Sequence, residues 1–265
     1  MKIVGEGFNS PVGVILAKQN LDRLSPLLDF SQNVVMLCQA SLEETHIGEQ
    51  HSNSGKQQTI ACVLMARDLE TAEAIICLSR NGFGNEVNPL FRVFIEGYFI
   101  FGNVCKSAEF LPEYFATDLS TRLKIINAAI KRDHPIFHDI KEYVTEDMRD
   151  ALKKEIEDAK ASAIDAFKYA DAIGCGHIYD SIYRITSAEV HTTPRALAAY
   201  VKENPDGTIA EIYRTPSLGH IPSRLYDLSH FLLTLYLGFN ELFSNDVQSI
   251  AESYRHKLDK LVVIN

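Results

Sequence analysis

Residues 90–101 are apolar at almost every position, yet Arg92 and Glu96 sit inside that run, one helical turn apart. This segment constrains the fold more than any other. A helix that is apolar on all sides belongs at the centre of a bundle, because no face of it suits water. Two charges carried into such a helix are tolerated when they bond each other and a further polar group. The run therefore predicts a central helix with mostly buried Arg92 and Glu96, and it requires a complementary polar strip elsewhere in the chain.

Residues 179–191, Tyr-Asp-Ser-Ile-Tyr-Arg-Ile-Thr-Ser-Ala-Glu-Val-His, supply such a strip. Read as a helix, they bring Arg184, Ser187 and His191 into one stripe, because offsets of three, four and seven recur on a single face. Tyr179 and Tyr183 fall on a neighbouring line. Ile178, Ile182, Ile185 and Val190 would fasten this helix to the core. A cation, a hydroxyl and an imidazole in a stripe suit an active or ligand-binding site. They equally suit a structural seam, since Tyr and His commonly bury a ring and satisfy a polar tip.

Helical periodicity runs through the remainder. It predicts helices over 22–45, 59–79, 89–106, 112–133, 145–172, 179–191, 223–243 and from 245 to about 261, with an irregular segment over 1–20. Pro89 and Pro112 suit first helical turns, where a missing N–H is not needed. The turn Glu203-Asn-Pro-Asp-Gly207 between two strand-like stretches predicts a small β-hairpin near 199–213. The expected architecture is all-α, a single domain over 1–265 of about eight helices, with a polar pocket between the third and the sixth.

Charge and cysteine content narrow the function. With 26 basic against 35 acidic residues, the net charge of -9 gives no overall attraction to nucleic acid or anionic lipid. The most apolar stretches, 90–104 and 228–243, are short for a bilayer and carry Arg92, Glu96, His230 and Glu241, so no membrane partner is expected. Five widely spaced cysteines without a Cys-x-x-Cys unit predict free thiols and a cytoplasmic location. His134 and His138 lack a third ligand. Gly5-Glu-Gly7 and Gly174-Cys-Gly176 lack the strand-to-helix context of a phosphate loop. Neither a cofactor nor a metal is expected.

Two resemblances bear on the site. Asn88-Pro-Leu-Phe-Arg92-x-x-x-Glu96, followed by Tyr183-x-x-x-Ser187-x-x-x-His191, resembles the helical domain-of-unknown-function family 5677 over 64–194. That resemblance implies a fold and a site but no reaction. Arg184-x6-His191 also resembles the Arg-x4-6-His pattern of the HEPN superfamily, which includes metal-independent ribonucleases of toxin and antiphage defence systems. It implies that His191 and Arg184 cleave RNA on a homodimer, with His191 as base on the 2′-hydroxyl and Arg184 on the phosphorane; Ser187, on the same stripe, is the third candidate catalytic residue. The chain departs from that pattern at Ile185, where the family generally has a polar residue. Arg132 and His138 match it as well, across a helix-breaking Pro135. The rival reading is a non-catalytic binding or scaffold protein for a small ligand or partner. There, Arg92, Glu96, Tyr179 and Tyr183 join the same residues in a structural network. Solvent access to His191 separates the two.

Overall fold

The computed structural model describes residues 2–4, 7–132, 134–159 and 163–262. Gly5, Glu6, Asp133 and Lys160, which enter the sequence reading, lie outside the described residues. The chain runs through α1 (Pro11–Glu43), α2 (Asn53–Arg80), α3 (Gly84–Lys106), α4 (Leu111–Lys131), α5 (His138–Lys141), α6 (Glu146–Asp158), α7 (Ala166–Ala172) and α8 (Gly176–Ile178). A π-helical turn (Tyr179–Tyr183) leads into α9 (Arg184–Val190), then α10 (Pro194–Ala198), α11 (Ile221–Leu242) and α12 (Gln248–Val262). Three short strands, β1 (Lys2–Val4), β2 (Val201–Glu203) and β3 (Ile209–Tyr213), form a sheet in the order β1-β3-β2. The protein is all-α with this small sheet at one edge.

The apolar run builds the centre, as its composition demands. Phe91, Phe94, Ile95, Phe99 and Phe101 of α3 are buried, packed against α2, α11 and the α9 region. Helices α1 and α11 pair alongside through small polar contacts, with Ser31 Oγ 2.9 Å from Ser229 Oγ and Asn240 Nδ2 donating to Ser41 Oγ at 3.1 Å. Each of these buried polar groups has a partner, so their burial is tolerated.

Several boundaries differ from expectation for local reasons. Helix α1 starts at Pro11, so the segment expected to be irregular over 1–20 is helical for half its length. Ser10 caps it by accepting from the Gly13 N–H at 2.9 Å, and Pro11 occupies the first position, where no N–H is needed. Strand β1 was not foreseen; it pairs in parallel with β3. Helix α3 starts at Gly84, five residues before Pro89, which sits inside its second turn. The charged stretch expected as one helix over 145–172 is two, α6 and α7, the second capped by Asp165 accepting from the Lys168 N–H at 3.0 Å. The hairpin is present as β2 and β3, antiparallel. Its turn needs Gly207, which adopts φ 81°, and Asp206 Oδ1 accepts from both the backbone N–H and the hydroxyl of Thr208. All five cysteines are free thiols.

Among the buried polar groups without a hydrogen-bond partner, one is a carboxylate. Asp68 on α2 is fully buried, and among the described residues neither carboxylate oxygen has a hydrogen-bond partner; the guanidinium of half-exposed Arg67 lies 3.6 Å away. Its carboxyl fills a notch in α3 that exists because residue 97 is glycine: a Cβ there would stand 2.1 Å from Asp68 Oδ1. Burial pushes the Asp68 pKa up from 3.8 to about 8, with Arg67 opposing. A carboxyl whose folded pKa is raised contributes most stability below its unfolded pKa and loses it as pH rises towards the folded value. Wild-type stability in urea melts should therefore fall between pH 4 and pH 8 relative to Asp68→Asn, by up to ~1.4 kcal/mol per pH unit. Parallel pH profiles for the two proteins would show that Asp68 titrates normally.

Candidate functional site

The polar residues of α3 meet those of the helical stretch after α8 along an antiparallel seam. Asn88, Arg92 and Glu96 are spaced four apart, which aligns them on one face. Opposite them stand Glu189, Ser187 and Tyr183. Arg92 Nε donates to Ser187 Oγ at 3.1 Å, and Arg92 Nη2 donates to the Tyr183 hydroxyl at 2.6 Å. The same Nη2 lies 3.0 Å from Glu96 Oε2, and the Tyr183 hydroxyl donates to that oxygen at 3.1 Å. Arg92 also stacks over the Tyr183 ring at 4.8 Å from its centroid. Arginine, phenol and carboxylate thus close a triangle, with the serine hydroxyl as a fourth member.

Arg92 and Glu96 face the partner stretch as the apolar run requires, and their side chains are mostly buried, 26% and 28% exposed. They line an open groove of about 970 Å³ between α3, α4 and α6, whose walls include Tyr114, Phe115, Leu119 and Ile164. Desolvation and the neighbouring Glu96 charge push the Tyr183 pKa up to about 12, so the phenol stays a proton donor throughout the physiological range.

The π-helical turn decides which residues join the seam. A π turn bonds i to i+5 and shifts the facing of everything after it. Tyr179 stacks on Tyr183 with ring centres 5.0 Å apart, and Tyr183 turns inward. Arg184 turns outward, 64% exposed, with Nε 3.2 Å from Asp180 Oδ1 and its guanidinium over Tyr179 at 5.4 Å. His191 follows the last residue of α9 with extended backbone (φ -97°, ψ 148°). The expected stripe of Arg184, Ser187 and His191 is therefore broken at both ends: Ser187 faces Arg92, Arg184 faces solvent, and His191 is exposed beyond the helix.

The seam continues through Asn88 and Glu189 to two residues of α11 without a sequence motif, Arg224 and Asp227. Asn88 Nδ2 donates to Glu189 Oε2, and Asn88 Oδ1 accepts from Arg224 Nε at 2.6 Å. Arg224, on α11, donates from Nη1 to Asp227 Oδ2 at 3.0 Å and lies over the Phe91 ring at 5.2 Å. Burial raises the Asp227 pKa, and the Arg224 guanidinium opposes the rise. This chain ties α3, α9 and α11 together. Its sequence signal was the four-residue spacing of Asn88 from Arg92 and a lone arginine on the apolar face of α11. Among the described residues, no cluster of His, Cys, Asp or Glu has the geometry to hold a metal ion.

The triangle can be tested by removing its hub. Tyr183→Phe deletes the hydroxyl that bridges Arg92 and Glu96, and urea melts should show a loss of about 1 kcal/mol. Glu96→Ala should cost about 1–2 kcal/mol, less than a fully buried pair would, because the groove lets water reach the released guanidinium. A loss above ~4 kcal/mol for Glu96→Ala would mean that the site closes in solution.

The described helices include none long and apolar enough to cross a membrane. No curated protein and no solved structure matches the chain. A family model described as a family of unknown function, DUF5677, matches residues 58–209, more than half of the chain. The match runs from within α2 to the start of β3 and takes in the Arg92–Glu96–Tyr183 triangle and Ser187, while Arg224 lies beyond it. This chain is a member of that helical family, DUF5677.

Proposed function

We propose that the protein is a cytoplasmic, non-catalytic binding module, in which Arg92, Glu96, Tyr183 and Ser187 form the polar wall of a ligand groove. The observation that carries this reading is the mutual engagement of the four groups. Arg92 donates to Ser187, Tyr183 and Glu96, and Tyr183 spends its proton on Glu96. A catalytic set needs a base or nucleophile with free access to substrate. Here the phenol is held as a donor, and Glu96 Oε2 already accepts from two groups. The groove combines aromatic and aliphatic walls, Tyr114, Phe115 and Ile164, with a few anchored polar groups. That mixture suits a small amphipathic ligand.

One observation favours the ribonuclease reading: His191 is exposed, as a general base must be. Within one chain, however, Arg184 is paired with Asp180, and His191 lines a separate pocket. A nuclease built from His191, Arg184 and Ser187 would need a second copy of the chain to bring them together. It would also have to release Ser187 from Arg92.

Two measurements test the binding reading. An environment-sensitive anilinonaphthalene sulfonate dye should fluoresce with the wild-type protein and lose that signal with Phe115→Asp, an exposed groove position. Wild-type protein should leave RNA intact. Cleavage that persists with chelator and disappears in both His191→Ala and Arg184→Ala would replace the binding module with a metal-independent nuclease.

A further inference from the structure

Helices α4 and α6 form a two-helix arm beside the central bundle. Helix α6 packs chiefly on α4, while α3 packs on α2, α11 and α9. Leu119 from the first half of α4 and Glu155 from the end of α6 line the same groove, so the two helices run antiparallel. Leu123, Ile126 and Ile130 on α4 and Leu152 and Ile156 on α6 recur at the spacing of a helix–helix seam. None of these five is fully buried, and neither is any residue of α6. Two helices cover an apolar seam from one side only, whereas a bundle of four closes it.

The arm leaves further apolar surface uncovered. Ile125 near the end of α4 and Met148 at the start of α6 are about half exposed, and Ile136 and Tyr143 between the helices are more so. Exposed apolar residues are ordinary when scattered singly. Four at one end of an antiparallel arm make a patch of the kind that marks an interface.

The charges around this patch identify what covers it. Residues 119–132 carry Arg122, Lys124, Lys131 and Arg132 and no acid. Arg122 pairs with Asp118, but among the described residues Lys124, Lys131 and Arg132 are in no ion pair. On α6, Arg149 and Lys153 engage Glu146 and Asp150. Among the described residues, that leaves Asp147, Glu155, Glu157 and Asp158 unpaired against the single base Lys154. The free surface of α4 is thus basic and that of α6 acidic. Lys124 and Lys131 are seven apart, as are Ile125 and Arg132, so the bases flank the exposed isoleucine on one side of α4. A surface that carries both signs side by side complements itself when a two-fold rotation sets α4 of one copy against α6 of the other.

We propose that the arm is a homodimerisation surface, through which two copies of this chain assemble α4 and α6 into a four-helix bundle. Ile125 and Met148 lie inside the interface, and the bases of each α4 face the acids of the other copy's α6. The pairing does not rest on a ligand in the groove, because Lys124, Ile125 and Lys131 do not line it. Arg184, Ser187 and His191 are not part of it either.

The face is small. It is about 20 Å long, the length of α6, and two helices or roughly 20 Å wide, which gives roughly 400 Å² per copy. That lies at the low end for specific association and predicts a dissociation constant in the micromolar range.

Sedimentation equilibrium of the full chain, from about 1 to about 200 µM, tests the proposal. The mass should rise with concentration towards twice the 29.7 kDa of the chain. Ile125→Asp should weaken the dimer at least about tenfold, because it buries an unpaired charge. Lys124→Glu with Lys131→Glu should do the same by setting acid against acid. All three positions are exposed in the single chain, so unchanged thermal melts at low concentration will show that the variants fold. Val63→Asp, on the exposed side of α2, should leave the dimer intact. A monomer across the whole range overturns the proposal. So does a dimer undiminished by Ile125→Asp or by the charge reversal, or one that Val63→Asp dissociates.

Discussion

Arg92 is the group around which this molecule is arranged. A guanidinium in a central, largely apolar helix must find acceptors or forfeit its solvation, and it finds three: a carboxylate on its own helix, a phenol on the π-helical turn and a hydroxyl on α9. Those contacts fix the rotation of α3 about its axis. They also fix the π-helical turn, which is the local distortion that directs Tyr183 inward while letting Arg184 out. With α3 so oriented, Asn88 faces Glu189 and Arg224, and α11 is drawn in as well. On a different side of the same helix, Gly97 opens the notch that Asp68 occupies. Three neighbouring elements thus dock on α3 through polar groups set in a hydrophobic surface.

The arrangement also shapes two cavities. The groove at Arg92, lined on its far side by α4 and α6, stays open, which leaves Arg92 and Glu96 about a quarter exposed. A second cleft, beside the hairpin, lies at the N-terminal turn of α3, where the backbone from Gly82 to Glu86 meets the segment around Ser217. One helix therefore carries a polar wall at its middle and part of a second cavity at its start. The groove can be altered through side chains that the core does not need, such as Phe115.

Much of this was legible in the sequence where one physical rule dominated. The buried run of α3 announced its central place, and Arg92 with Glu96 announced the need for a partner strip; residues 179–191 contain that strip. The hairpin followed from Asn-Pro-Asp-Gly. What sequence spacing could not give was the π turn. A stripe drawn at the α-helical period groups Arg184 with Ser187 and His191, but the helix ends at Val190 and sheds His191, while Arg184 reaches back to Asp180 and Ser187 bonds Arg92. Helix α1 was read as starting late because Pro11 and Gly13 look like breakers, although both are harmless in a first turn capped by Ser10. That His191, Arg195 and His220 line one pocket had no sequence signature, since it depends on how the hairpin folds back against the start of α3.

The central claim is that Arg92 and Tyr183 hold α3 to the π-helical turn as one coupled unit. A double-mutant cycle with Arg92→Met, Tyr183→Phe and the double variant, followed by urea denaturation, measures that coupling directly. The geometry predicts a coupling energy of about 1–2 kcal/mol, because both variants lose the same 2.6 Å hydrogen bond. Strictly additive effects, within about 0.3 kcal/mol, would mean that the two side chains do not bond in solution and that something else orients the helix.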